Sequence, residues 1–223
     1  MINCAYCNVK GCKDEILDRV PKDCPSLKTS VENETSRYDE EDKDMSVISA
    51  KIEAGGYGVL TRIEEIMEFA IQSGYQKLGL AFCVGFTNEA HTVAQIFKSN
   101  GFDVVSVCCK NGAVDKTVFG IDRDHFVIPE NEREAMCNPA GQAALLDGSG
   151  CELCILLGLC VGHDTIFMKH CKTPVTVLAV KDRVTGHNPL APVYTSATYR
   201  HGLYDYRKNR ASRYKFSDED PCQ

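Results

Sequence analysis

The chain has 223 residues, enough for one α/β domain with a sizeable core and a small appendage. Its formal net charge is −6, and Lys and Arg never gather into a long block. That argues against a non-specific nucleic-acid or membrane surface, and for a small molecule or a protein as partner.

The opening "MINCAYCNVK" lacks the apolar core of a signal peptide, and no stretch approaches the roughly 18 apolar residues that span a bilayer. The expected location is the cytosol. Thirteen cysteines is a high and odd number. In a reducing compartment such a density reads as metal ligands or redox groups before disulfides.

Residues 1–30 hold Cys4, Cys7, Cys12 and Cys24 and too few apolar residues for a core of their own. The spacing is C-x2-C-x4-C-x11-C-P. A CxxC turn brings two sulfurs to one side, and two later thiolates complete a tetrahedral shell. Zinc would make this segment a structural staple. An iron–sulfur cluster would add electron transfer, and the proline after Cys24 matches some cluster motifs.

The stretch 31–44 is polar and acidic and reads as a solvated linker or as the polar entry to a helix. From residue 45 apolar residues recur at helical spacing, which predicts two helices or one broken helix around "AGGYG". A repeating pattern follows. Strands are expected over 77–83, 102–108, 152–160 and 174–180, with helices over 88–100, 139–149 and 163–171.

Strands apolar on both faces that alternate with helices imply a three-layer α/β domain with a mainly parallel sheet. Right-handed crossovers make 2-1-3-4 the economical strand order, as in flavodoxin-like and Rossmann-like folds. The domain is expected over 45–207, with a polar tail from 208 to 223.

On that topology Cys83, Cys108, Cys109 and Cys160 end strands, and Cys137 sits just before a helix. All five fall at the carboxyl edge, where open α/β sheets bind ligands. Neighbouring strands lie about 4.8 Å apart, so these thiols are placed to surround a 4Fe–4S cluster. Cys154 reads as a buried core residue, and Cys151, Cys171 and Cys222 have no evident partners.

His163 stands at CxxH spacing from Cys160, and with Lys110 it is a candidate proton handler. Asp164 is placed to cap the helix there, with Gly158 and Gly162 letting the chain turn. Asn88, Glu89, Lys181, Asp182, Arg183 and His187 would line a partly cationic wall suited to a small anionic substrate.

The segments "AFCVGFTNEA", "VCCK", "MCNPAGQAALL", "GLCVGHDTIF" and "PVTVLAVKDR" through "HNPLAPVY" together resemble a prokaryotic family, domain-of-unknown-function family 1847. The resemblance takes in the leading "CAYC" and "DCP". Members of that family are labelled as predicted metal-binding proteins. It therefore implies cytosolic metal binding through Cys4, Cys7, Cys12 and Cys24, and supplies no established reaction.

Three functions follow as expectations. The first is an iron–sulfur redox or sulfur-chemistry protein, with the cluster at the rim and a small molecule or redox protein as partner. The second is a zinc-binding module whose α/β domain binds a ligand or protein without catalysis. The third is metal-free thiol chemistry using Cys108, Cys109 or Cys160, favoured where a helix dipole lowers a thiol pKa. No phosphate loop, serine elbow or zinc-protease helix is present in the sequence.

Overall fold

The computed structural model describes residues 3–208. The tail expected from 208 onward, with Cys222, lies almost wholly outside the described residues. The chain divides into two compact units, with the boundary between Val59 and Leu60.

In the first unit, short 3-10 turns at Cys4–Tyr6, Leu17–Arg19 and Pro25–Leu27 carry the leading cysteines. Two helices follow, α1 (Val31–Thr35) and α2 (Glu40–Gly56). Much of the expected linker 31–44 is therefore helical, and the unit boundary falls later than residue 45. The reason is local. Asp39 accepts a hydrogen bond from the Asp42 amide at 2.8 Å, and Glu40, Glu41 and Asp42 set negative charge on the positive end of α2. Of the two readings of this acidity, the helix entry is the one the chain takes.

The second unit opens with α3 (Arg62–Gln72), started by a capping box in which the Glu64 carboxylate accepts from the Thr61 amide at 2.7 Å. The sheet follows as β1 (Lys77–Phe82), β2 (Asp103–Cys108), β3 (Leu153–Leu159) and β4 (Val175–Val180). Between the strands run α4 (Thr87–Ser99), α5 (Pro139–Gly148) and α6 (His163–His170), and α7 (Ala191–Tyr194) comes after them. The order is β2-β1-β3-β4, parallel throughout, with helices on both faces.

Every residue of β3 is buried, as a central strand covered on both faces requires. Leu80, Ile155, Phe97, Leu146 and Phe167 form the middle of the core. The edge strand β2 exposes Asp103 and Ser106. The register between β3 and β4 slips around Gly158, whose φ is +64°.

The slip matters at the carboxyl edge. The Phe86 ring lies close against Gly158, and a Cβ there would overlap it. Gly158 thus meets two demands at once, a left-handed φ and a close approach. A Gly158→Ala variant is expected to lose about 3 kcal/mol from overpacking and backbone strain together. Urea denaturation checks this, and an unchanged midpoint would show that Phe86 moves aside freely.

Candidate functional site

The winding of the chain builds one rim. After β2 the polypeptide must cross to the far side of β1 to form β3, so the switch point lies between β1 and β3. Cys83 follows β1, Cys109 follows β2, and Cys137 lies on the crossover just before α5.

Backbone hydrogen bonds fix all three. The Cys83 amide donates to the Leu157 carbonyl at 3.2 Å, and the Cys109 amide to the Phe82 carbonyl at 2.8 Å. The Asn138 amide donates to the Cys109 carbonyl at 2.7 Å, which draws Cys137 in from the crossover. Asn111 and Asn138 then clasp each other: Asn111 Nδ2 donates to the Asn138 carbonyl at 3.0 Å, and Asn138 Nδ2 to Asn111 Oδ1 at 3.1 Å. Gly141 leaves the room for that clasp, since a Cβ there would strike both amides.

The sulfurs meet as a result. Cys137 Sγ lies 3.7 Å from Cys109 Sγ, and the Cys109 thiol is also hydrogen-bonded to Cys83. The Val84 amide donates to Cys109 Sγ at 3.3 Å. Lys181 Nζ donates to Cys83 Sγ at 2.7 Å and sits 4.9 Å from the centre of the Phe86 ring. His163 hydrogen-bonds Cys137.

The electrostatics follow from these partners. Hydrogen bonding from Cys109 lowers the pKa of both Cys83 and Cys137. Cys109 has one proton to give, so it supports one neighbour at a time. Each neighbour also has its own cation, Lys181 for Cys83, and His163 with Lys110 for Cys137. The Cys109 pKa is raised by those same two thiols and by burial, so this sulfur keeps its proton. His163 moves the opposite way to Cys137: the bond to the thiolate raises its pKa.

Of the candidate residues, the rim therefore brings Cys83, Cys109, Cys137 and His163 together and leaves the other thiols apart. Strand alternation turns half-buried Cys108 to the opposite side from Cys109. Cys160 Sγ instead receives Arg183 Nη2 at 3.4 Å. Lys110 lends its charge but spends Nζ on the Ala135 carbonyl, so it anchors the crossover loop. Asp164 bonds the next amide, Thr165, while Gly162 holds the N-cap position.

Lys181 is the thiol partner that sequence reasoning placed only in the pocket wall. Its position one residue past β4 was legible. Its reach across the end of β3 to Cys83 was not.

A second thiol trio lies at the opposite, amino edge. Cys154 is hydrogen-bonded to Cys171, whose Sγ donates to Asp147 Oδ1 at 3.4 Å. A Cβ on Gly79 would come within 3.0 Å of Cys154 Sγ and 3.2 Å of Cys151 Sγ. Cys151 and Cys171 thus have partners that the sequence did not reveal. Burial raises all three pKa values, that of Cys171 to about 11. These are protonated packing groups. The two thiol groups at opposite edges of one sheet differ in character, because among the described residues basic side chains hydrogen-bond to sulfur at the carboxyl edge, while burial dominates at the amino edge.

In the first unit the Cys7 amide donates to the Cys4 carbonyl at 3.1 Å, and the Lys10 amide to Cys7 Sγ at 3.5 Å. Cys4 and Cys12 are exposed, and Cys7 and Cys24 half-buried. Among the described residues no group of three or more Cys, His, Asp or Glu side chains is pre-arranged around a metal position. Ligation at either cysteine group therefore needs side-chain rotation. Among the described residues no helix is long and apolar enough to cross a membrane.

Iodoacetamide labelling of the metal-free protein at pH 6 is expected to modify Cys137 well before Cys151, Cys154 or Cys171. Replacing His163 by Phe removes a bond that favours the thiolate, so the Cys137 pKa rises. Its labelling at pH 6 should fall by roughly two- to fivefold while labelling at pH 10 holds. An unchanged rate at pH 6, read by peptide mass mapping, would dissociate His163 from Cys137.

Comparison with known proteins adds a relative and two distant folds. An uncharacterized protein of Methanocaldococcus jannaschii is 43% identical over 194 residues, spanning 87% of this chain and 94% of the relative. Two crystal structures of Dph2 from Pyrococcus horikoshii, one with a 4Fe–4S cluster, share 13–16% identity. The one with the cluster aligns at a TM-score of 0.35 over 67% of this chain and 33% of its own, the other at 0.28 over 44% and 22%. This chain spans a third or less of those structures. The family model described as "Protein of unknown function (DUF1847)" matches residues 24–178, and the chain belongs to that family.

Proposed function

We propose that the rim is a metal centre with Cys83, Cys109 and Cys137 as its protein ligands, and that the metal is an iron–sulfur cluster of the 4Fe–4S type. One observation carries the reading. Three sulfurs from three separate chain segments converge at the edge where Lys181, His163 and Lys110 supply positive charge.

The donor set fits such a group. Thiolates, not thiols, bind metal, and the cations here favour thiolate at Cys83 and Cys137. Structural zinc sites close with four protein ligands, whereas three thiolates leave a position open to substrate. The amide donated to Cys109 Sγ is of the kind that tunes cluster potential. Bound there, a cluster supplies one-electron chemistry and an iron open to a ligand. Lys181 and His163 would offset the thiolate charge, their N–H groups donating to Cys83 Sγ and Cys137 Sγ until the metal takes their place.

Arg183 extends the positive wall, which suits a small anionic substrate or a redox protein in the cytosol. Cys4, Cys7, Cys12 and Cys24 form a second metal group, either zinc or a further cluster. The CxxC turn with its amide donated to sulfur supports that assignment.

The 3.7 Å separation of Cys109 and Cys137 favours one further reading, a metal-free dithiol couple. There Cys137 would be the attacking thiolate and Cys109 the buried partner.

Anaerobic purification, with iron, zinc and acid-labile sulfide quantified, decides between them. Iron and sulfide are expected in the wild type and should be lost when Cys83, Cys109 and Cys137 are changed to Ser. They should survive in the Cys108→Ser and Cys160→Ser variants. Zinc alone, lost only when Cys4, Cys7, Cys12 and Cys24 are replaced, would overturn the cluster. No rim metal together with a reversible Cys109–Cys137 disulfide would establish the dithiol couple.

A further inference from the structure

The three rim sulfurs sit on three segments, the ends of β1 and β2 and the approach to α5. One buried residue is bonded to all of them, to two through its side chain and to the third through its backbone. Gln142, on the first turns of α5, is 0% exposed. Its Nε2 donates to the Phe82 carbonyl at 3.1 Å and to the Val107 carbonyl at 2.7 Å. Phe82 immediately precedes Cys83, and Val107 lies two residues before Cys109. Its own backbone amide donates to the Asn138 carbonyl at 3.0 Å, one residue past Cys137.

We infer that Gln142 is the positioning residue of the thiol site, tying the ends of β1 and β2 to α5 and so setting the spacing of Cys83, Cys109 and Cys137. The inference rests on the reading of these three cysteines as one site.

The chemistry of the residue fits the task. At the carboxyl edge of a parallel sheet the last carbonyls of adjacent strands each have a second lone pair left to accept with, and one amide nitrogen has two hydrogens to give them. A lysine could reach the same carbonyls but would bring charge into the core beneath the thiols. Glutamine leaves the local charge to Lys181, His163 and Lys110.

The arrangement also carries a cost. Gln142 Oε1 is buried with no hydrogen-bond partner among the described residues. An unsatisfied acceptor in a core that is otherwise apolar marks a side chain kept for something other than packing. Phe82 makes the point from the other side. Its carbonyl accepts from both Gln142 Nε2 and the Cys109 amide, so the clamp and the last rung of the β1–β2 ladder share one oxygen. Displacing Gln142 therefore disturbs the atom that holds Cys109 against β1.

The test uses the full chain with Gln142→Met, which keeps the volume and removes the amide, and Gln142→Asn, which keeps the amide on a shorter stem. Two properties are read beside the melting temperature. The first is the yield of the Cys109–Cys137 cross-link formed by dibromobimane on metal-free protein, located by peptide mass mapping. The second is iron and sulfide per folded chain after anaerobic reconstitution.

In Gln142→Met that remains folded, both are expected to fall about tenfold, since two hydrogen bonds that fix the spacing are lost together. Wild-type cross-linking and wild-type iron in a folded variant would overturn the proposal, even if its melting temperature dropped. Should Gln142→Met fail to fold, Gln142→Asn is judged by the same readouts. If the wild type takes up no iron while the cross-link still depends on Gln142, the cluster reading fails and the positioning role stands. If the wild type takes up iron and both variants match it, the positioning role fails and the cluster stands.

Discussion

The hydrogen bond from the Cys109 amide to the Phe82 carbonyl is where fold and site become one object. It continues the ladder between β1 and β2 past the last residue of β2, and so delivers a thiol to the end of the neighbouring strand. Cys83 occupies the next residue of that neighbouring strand. The crossover to β3 then has to pass over this same point, because β3 lies on the other side of β1. Cys137 arrives on that crossover, and the site needs no dedicated loop to gather its sulfurs.

The same sheet supplies a comparison at its other end. Cys151, Cys154 and Cys171 lie together at the amino edge, with Gly79 leaving room for Cys151 and Cys154. Their chemistry differs because a parallel α/β sheet is polar. Helix amino termini and the loops after strands collect at the carboxyl edge, and here those loops bring Lys110, His163 and Lys181. At the amino edge the nearest ionised group to Cys171 is the Asp147 carboxylate, which holds the proton on the sulfur. Cysteine number alone does not distinguish a reactive site from packing. Position along the strand does.

That distinction explains what was legible in the sequence. Strand order and the placement of Cys83, Cys109 and Cys137 at one edge follow from the alternation of apolar runs and helical stripes, with right-handed crossovers. Cys108 and Cys160 satisfy the same edge rule and still fall outside the cluster. One is turned away by the pleat of β2, and the other is drawn to Arg183. A one-residue difference in facing is below what an apolar pattern resolves when both neighbours are cysteine. Residues 31–44 stayed ambiguous between linker and helix entry for a related reason. Acidic residues serve a helix N-terminus and a solvated linker equally well, and only the bond from the Asp42 amide to the Asp39 carboxylate separates them.

Lys181 illustrates the remaining gap. Sequence places it past β4, which is not adjacent to β1, and no pairing rule links it to Cys83. The contact exists because the slip in β3–β4 pairing at Gly158 leaves the end of β3 without a side chain at that residue, and the Phe86 ring fills the space. Lys181 lies over that ring with its ammonium on Cys83 Sγ, and His187 packs against the same ring at a tilt of 49°, with centroids 4.4 Å apart. A buried aromatic platform thus carries the charge across a strand that offers no polar group of its own. One glycine in β3 sets the electrostatics of a thiol on β1, and substitution at Gly158 acts on the site as well as on the fold.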